Sequence, residues 1–336
     1  MIGDRPMRIG LLGAANIVPR ALLAPAKLLE RPCSFAVAAR DPAKAHAFAE
    51  IHGIDTVFAD YDALLASDWV DGVYLALPNS LHVQWAIRAL QAGKPVLVEK
   101  PICIDLGDFD ALAAVARASG VPVIEAIMVR FHPWQQALAE LIGDGRYGRL
   151  LTSETRLFTD LRTRARDGFR FSRPLGGGAF FDLGVYWVQF LQRCIGLHGY
   201  RSAARAERAA PDGVDLSFAA RLEFPNGQRC ELSCSFERAF AANHRLTFEQ
   251  AQVTVGNFLR PTFGLQALWL DIEQPGRTDK LRFPAQNYYA AQLEFFIRVI
   301  EGEAEPEPLA DVRERVAALA AIYGQAAEGM RTTDPA

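Results

Sequence analysis

Over its first 125 residues the chain alternates short apolar runs with helix-length segments, and this rhythm constrains the fold more than any other feature. The runs are residues 7–12, 34–39, 72–77, 95–98 and 121–124, with helical segments at 17–30, 42–52, 82–92 and 108–119. Gly93 and Gly120 close the last two helices and Pro95 follows the first of those closures, the punctuation expected where helices end. Strands that read as near-continuous apolar runs are covered on both faces, and short crossings through helices make them parallel. The expectation is an α/β, doubly wound parallel sheet, with ligands beyond the carboxyl ends of its strands.

After Val129 the rhythm stops. Residues 149–158, 215–224, 228–237, 244–249, 252–258 and 265–273 read as successive strands, some separated by turns such as Pro225-Asn226-Gly227, with one apolar helix at 179–194 inserted early. This predicts an α+β domain with an open, mostly antiparallel sheet. Leu309, Val312, Val316, Leu319 and Tyr323 recur at helical spacing, and that face is expected to pack back on the first domain. The expected domains are therefore 1–124 with 305–336, and 125–304.

Composition narrows the function. The formal net charge is −3 with no long basic run, which argues against a nucleic-acid binder held by electrostatics. No apolar run is long enough for a membrane span, and the polar start does not read as a signal peptide. The five cysteines contain no C-x-x-C pair. Cys230 and Cys234 share a predicted strand face but lie roughly 13 Å apart at about 3.3 Å per residue, too far for a disulfide. Reduced, buried thiols suit a cytoplasmic protein. No metal site is expected.

The first turn reads Gly10-Leu11-Leu12-Gly13-Ala14-Ala15-Asn16-Ile17-Val18. Against G-x-G-x-x-G/A only Gly13 stands; Ala15 and Val18 occupy the other glycine positions. The context is stronger than the motif, because the turn follows a strand and opens a helix, where backbone N–H groups meet a pyrophosphate. At the end of the second strand, where an NAD site usually places an acid for the ribose hydroxyls, stand Arg40 and then Asp41. Arg40 suits a 2′-phosphate and favours NADP over NAD; the plainer alternative is a solvated arginine followed by an N-cap aspartate.

Only five of the thirty-six cationic side chains are lysines. Arginine is effectively always protonated and is a poor proton shuttle, so acid–base work by a cation falls to Lys27, Lys44, Lys94, Lys100 or Lys280. Lys100 sits directly past an apolar strand in Val96-Leu97-Val98-Glu99-Lys100-Pro101, where Glu99 can orient it and a cis bond before Pro101 is allowed.

That motif, with Leu77-Pro78-Asn79-Ser80-Leu81-His82, Arg130-Phe131-His132-Pro133 and Leu175-Gly176-Gly177-Gly178, resembles the glucose–fructose oxidoreductase / inositol dehydrogenase (Gfo/Idh/MocA) family. It is most similar to the branch of D-xylose and dihydrodiol dehydrogenases, which tolerates the substitution at Ala15. The resemblance implies a Rossmann-type first domain, with Lys100 beside the nicotinamide. The candidate cofactor residues are Gly13, Ala14, Ala15, Asn16, Ile17, Arg40, Leu77, Pro78, Asn79, His82, Glu99 and Lys100. Similar proteins pair through the open face of the second sheet, so a homo-oligomer, dimer or tetramer, is expected.

In the helix at 179–194, Asp182, Tyr186 and Gln189 fall on one face at i, i+4, i+7 spacing. An isolated pair of this kind equally fits a local cap and a packed ring. The resemblance to G-G-G-x-x-x-D-x-G-x-[HY] implies that Asp182 contacts substrate and Tyr186 is the acid–base group, a choice of residue unlike the cyclic-polyol branch. Tyrosine ionises near pH 10 unperturbed, and a cation such as Lys100 lowers that value. Arg130 and His132 complete the candidate substrate set, although His132 also suits the cap of a helix over 134–142. Arg156, Arg162, Arg164, Arg166 and Arg170 fit either an anion site or a solvated loop. The reading is an NADP-dependent oxidoreductase of a sugar, sugar derivative or diol. The alternatives are a ketoreductase of a nucleotide-linked deoxysugar and a non-catalytic NAD(P)/sugar sensor.

Overall fold

The computed structural model describes residues 5–164, 166–210, 213–260 and 264–328. The chain divides into two compact units: the residues up to Met128 with Asn287–Arg313, and Val129–Gln286 with the chain from Glu314 onward.

The first unit is built on six parallel strands: β1 (Met7–Leu12), β2 (Cys33–Ala38), β3 (Thr56–Val57), β4 (Gly72–Leu75), β5 (Val96–Glu99) and β6 (Val123–Ala126). Their order is β3-β2-β1-β4-β5-β6, the doubly wound arrangement, and the winding reverses between β1 and β4. β1 is buried except at Arg8, and β4 throughout, as a sheet covered on both faces requires. The helices are α1 (Ala24–Ala26), α2 (Pro42–His52), α3 (Tyr61–Leu65), α4 (His82–Gln91) and α5 (Leu106–Ser119). Asp41 caps α2 by accepting from the Ala43 N–H, and Asp105 caps α5. The segment expected as one helix over 17–30 is instead a π-wound turn at Pro19–Leu23 running into the three-residue α1. Prolines at 19 and 25 remove two of the N–H groups a regular helix needs.

The second unit contains α6 (Pro133–Gly143), β7 (Leu150–Phe158), a π-wound turn at Phe180–Gly184 continuing into α7 (Val185–Cys194), and strands β8 (Arg201–Arg208), β9 (Asp215–Glu223), β10 (Arg229–Ser235), β11 (Ala241–Phe248), β12 (Gln252–Val255), β13 (Leu268–Gln274) and β14 (Arg277–Phe283). The eight strands form one sheet, ordered β14-β13-β12-β11-β7-β10-β9-β8. It is antiparallel except where β10 runs parallel to β7. Alternating burial along β8 and β11 leaves one face of the sheet open. All five cysteines are free thiols.

Two helices follow, α8 (Tyr288–Ile300) and α9 (Leu309–Glu328). The sequence reading placed 287–304 in the second domain, but α8 packs on the 19–26 segment of the first unit. Gly72 makes room for it: a Cβ there would lie 2.6 Å from Ile300 and 3.1 Å from Phe296. The apolar face of the last segment was expected against the first domain. Its Tyr323 instead lies 4.4 Å from the ring of Phe181 and stacks on Phe218 at 5.8 Å, both in the second unit.

Candidate functional site

In the first unit the candidate cofactor residues gather where the winding reverses. Gly13 ends β1 with φ of 108°, and its N–H donates to the Ala38 carbonyl at 2.9 Å. A Cβ at this position would lie 2.7 Å from the Ala76 carbonyl oxygen and 3.0 Å from Leu77, so only glycine lets the turn approach the end of β4. The Val18 N–H is taken by the Ala15 carbonyl at 3.0 Å, and Pro19 has no N–H. A pyrophosphate would therefore meet the amides of the 14–17 turn, Ala14, Ala15, Asn16 and Ile17, rather than those of the π-wound turn. The narrow cradle at Gly13 fits a dinucleotide despite the two missing glycines.

Arg40 is exposed at the end of β2, and its backbone N–H donates to the Tyr61 hydroxyl at 3.1 Å. The Asp41 carboxylate is committed to capping α2. The acid beside the strand end is thus occupied, and the neighbouring side chain is a cation.

Leu77 and Pro78 are half-buried and Asn79 is buried. His82 is fully buried, with Nε2 2.8 Å from the Leu77 carbonyl oxygen and Nδ1 2.8 Å from that of Pro101. Desolvation pushes its pKa down, against the two carbonyls. The sequence reading made His82 a cofactor contact; its two ring nitrogens instead face backbone carbonyls, the neutral ring donating to one of them, so it ties the turn after β4 to the loop after β5.

That loop carries Lys100, half-buried, with a cis peptide before Pro101. The Tyr74 hydroxyl donates to Glu99 Oε1, while Glu99 Oε2 faces the Lys100 N–H at 3.3 Å. Burial, then Glu99, pushes the Tyr74 pKa well above its usual value, which keeps the phenol a donor. Glu125, fully buried, accepts from the Ile102 N–H at 2.9 Å. Sequence reasoning missed Tyr74 because it looked like one more residue of a buried strand, and Glu125 because it followed directly on one.

In the second unit, the glycine triplet explains how Asp182 is held. A Cβ on Gly177 would lie 2.4 Å from the Phe169 carbonyl oxygen and 2.5 Å from that of Arg170. Its absence lets the 169–172 turn close on the start of the helical segment, where the Gly178 N–H donates to Arg170 at 3.0 Å. Arg170 Nε then donates to Asp182 Oδ2 at 2.9 Å. Tyr186 follows in the first turn of α7, 6% exposed. Gln189, expected on the same functional face, instead exchanges hydrogen bonds of 2.8 and 3.0 Å with the buried Gln135 of α6, and serves packing.

His132 is the helix cap: its Nδ1 accepts from the Trp134 N–H at 3.1 Å. It is 2% exposed, and burial lowers its pKa to about 4, so a neutral cap replaces the expected substrate contact. Arg130 is half-buried, its guanidinium 5.4 Å from the ring of Phe131. Among the other arginines, Arg162 pairs with Asp160, Arg166 with Glu237 and Arg156 with Glu154. Arg170 reaches a candidate site residue, Asp182.

Among the described residues no helix is long and apolar enough to cross a membrane, and no group of three His, Cys, Asp or Glu side chains is placed to hold a metal.

A family model described as an oxidoreductase family with an NAD-binding Rossmann fold (GFO_IDH_MocA) matches residues 7–127, and the GFO/IDH/MocA C-terminal domain matches 135–252. The NADP(+)-dependent D-xylose 1-dehydrogenase 2 of Haloferax volcanii is 31% identical over 331 residues, 96% of this chain and 98% of that protein. The dTDP-3,4-didehydro-2,6-dideoxy-alpha-D-glucose 3-reductase of Streptomyces violaceoruber is 33% identical, covering 88% of this chain and 86% of its own. Among solved structures, KijD10, a 3-ketoreductase from Actinomadura kijaniata in complex with NADP and TDP-benzene, aligns with a TM-score of 0.88 at 27% identity, over 96% of this chain and 98% of that one.

Proposed function

The chain belongs to the GFO/IDH/MocA oxidoreductase family, and from that premise we propose that it is an NADP-dependent enzyme moving hydride between the nicotinamide and a sugar or diol carbon. The observation that carries this reading is the framework around Lys100: the Glu99 carboxylate held by Tyr74, the following loop held by Glu125, and the preceding turn tied in by His82. Such a framework preorganises a cation at a strand's carboxyl end.

The bound nicotinamide supplies the hydride acceptor or donor. Tyr186 removes the hydroxyl proton in oxidation and returns it in reduction. Lys100 supplies the cation that holds the substrate oxygen. Asp182, fixed by Arg170, orients a neighbouring hydroxyl. Arg40 selects NADP: the strand-end acid is spent on a cap and the exposed guanidinium suits a 2′-phosphate. NAD is the weaker cofactor.

A second reading, reduction of the keto group of a nucleotide-linked deoxysugar, uses the same groups and is supported by the dTDP-sugar reductase and 3-ketoreductase relatives. Nicotinamide absorbance, followed with NADP and NAD against aldoses and diols and with NADPH against a dTDP-linked ketosugar, separates the two. Turnover of none of them sinks both and leaves the sensor reading. The open sheet face supports a homo-oligomer, since Glu154, Arg156, Arg205, Arg221 and Glu231 line one concavity there with both charge signs, as a self-complementary two-fold contact needs. The five free thiols suit the cytoplasm.

A further inference from the structure

Asp215, the first residue of β9, is fully buried and belongs to none of the groups assigned above. Its Oδ2 accepts from the Phe180 N–H at 2.7 Å. Its Oδ1 lies where a side chain on Gly178 would otherwise be: a Cβ there would sit 2.2 Å away. Gly178 also has φ of +124°, so both the space and the backbone at the third glycine are arranged for this carboxylate.

The Phe180 amide opens the π-wound turn that carries Asp182 and leads into Tyr186. Phe180 and Phe181 are themselves buried, so water is not at hand for the first amides of the segment, which have no partner within it. A carboxylate answers this donor with a charge-assisted bond, stronger than a neutral cap would give. The groups facing Asp215 are the Arg208 guanidinium of β8, the Tyr323 hydroxyl of α9 and the Cys234 thiol of β10. Burial outweighs the Phe180 N–H and Arg208 and raises the Asp215 pKa to about 6.

We propose that Asp215 is a positioning residue for hydride transfer: by gripping the Phe180 N–H it fixes the turn that bears Asp182 and, through it, the placement of Tyr186. Asp215 is ionised above about pH 6 and holds the turn fully there; protonation below that value loosens the grip. The proposal rests on the roles given above to Asp182 and Tyr186.

The test uses the full chain with Asp215→Ala and Asp215→Asn, the asparagine keeping an acceptor for Phe180 without the charge. Amide exchange of the 178–190 segment is measured by mass spectrometry without substrate, and the pH profile of kcat/KM with NADP and the best sugar of the panel. Asp215→Ala is expected to exchange about tenfold faster over 180–186 and to lose about tenfold in kcat at unchanged NADP KM. Asp215→Asn is expected to lie between the wild type and Asp215→Ala in both, since it keeps the acceptor and loses the charge, and to lack the fall in kcat/KM that the wild type shows below about pH 6. Wild-type exchange over 180–186 in Asp215→Ala, or a retained acid limb in Asp215→Asn, overturns the proposal. If no sugar is turned over, the hydride-transfer reading fails on its own and the exchange comparison still decides whether Asp215 holds this turn.

Discussion

Tyr74 on β4 donates its hydroxyl to Glu99 at the end of the neighbouring strand β5, so the residue before Lys100 is oriented from beneath by a fully buried phenol. Tyr74→Phe removes this donor from the half-buried carboxylate. The expected cost is about 1–3 kcal/mol of unfolding free energy, read from the urea midpoint at constant slope. An unchanged midpoint would mean that solvent already serves Glu99.

Tyr186→Phe and Lys100→Ala test the proton path. Loss of a positioned acid–base group costs about 10²–10⁴-fold in kcat, while NADPH binding, followed by its fluorescence, is expected within a few-fold of wild type for Tyr186→Phe. Near-normal turnover in both variants with cofactor bound rejects the assignment.

The glycine triplet illustrates what a sequence can and cannot carry. It was legible as a motif, but its physical reason needs Phe169, Arg170 and Asp215 at less than van der Waals distance from the Cβ atoms that are absent. The parallel sheet was legible because strands covered on both faces read as apolar runs. β8 was not: Arg201–Arg208 holds only alanine, serine and charged side chains, and none of the usual strand formers appears. The π-wound turn at Phe180–Gly184 also escaped notice, since its sequence fits an α-helix equally well. Arg170 was read among loop arginines, and Asp215 as the start of one more strand, because each acts on a partner distant in sequence. His82 stood in a recognisable motif, yet its role depended on which carbonyls it would face.

Cofactor choice is tested at Arg40. Arg40→Asp exchanges a cation for an acid where the proposed site places the adenosine ribose, and the ratio of kcat/KM for NADP over NAD is expected to fall by about tenfold or more. The change should lie in KM for the nucleotide, with kcat little altered. A ratio that does not move removes Arg40 from the cofactor site.

Acid stability follows from two buried imidazoles. His244 lies between the rings of Phe190 and Phe258 at 4.0 and 4.5 Å, with Nδ1 2.8 Å from Thr155 Oγ1. Burial lowers its pKa to about 3, and that of His132 to about 4, from 6.5. Below pH 6.5 the unfolded chain binds protons that the folded chain refuses, so stability falls as the pH drops towards those values. Each histidine contributes a slope approaching about 1.4 kcal/mol per pH unit. Urea unfolding between pH 7 and 4 should show this slope, and His244→Phe should lessen it.

Asp215 has the opposite sign. Its folded pKa, about 6, lies above the unfolded value of 3.8, so the stability it contributes is fully present below 3.8 and is lost as the pH rises through 6. At pH 7 the ionised, buried carboxylate is therefore a destabilising group, by about 2–3 kcal/mol relative to a neutral one. Asp215→Asn, which keeps the acceptor for Phe180, is expected to unfold at higher urea than the wild type at pH 7 and at nearly the same urea at pH 4. A variant both more stable and slower at pH 7 is the behaviour of a charge retained for the site at a cost to the fold. Equal midpoints at pH 7 would mean that Arg208 and Tyr323 already offset the burial of the charge.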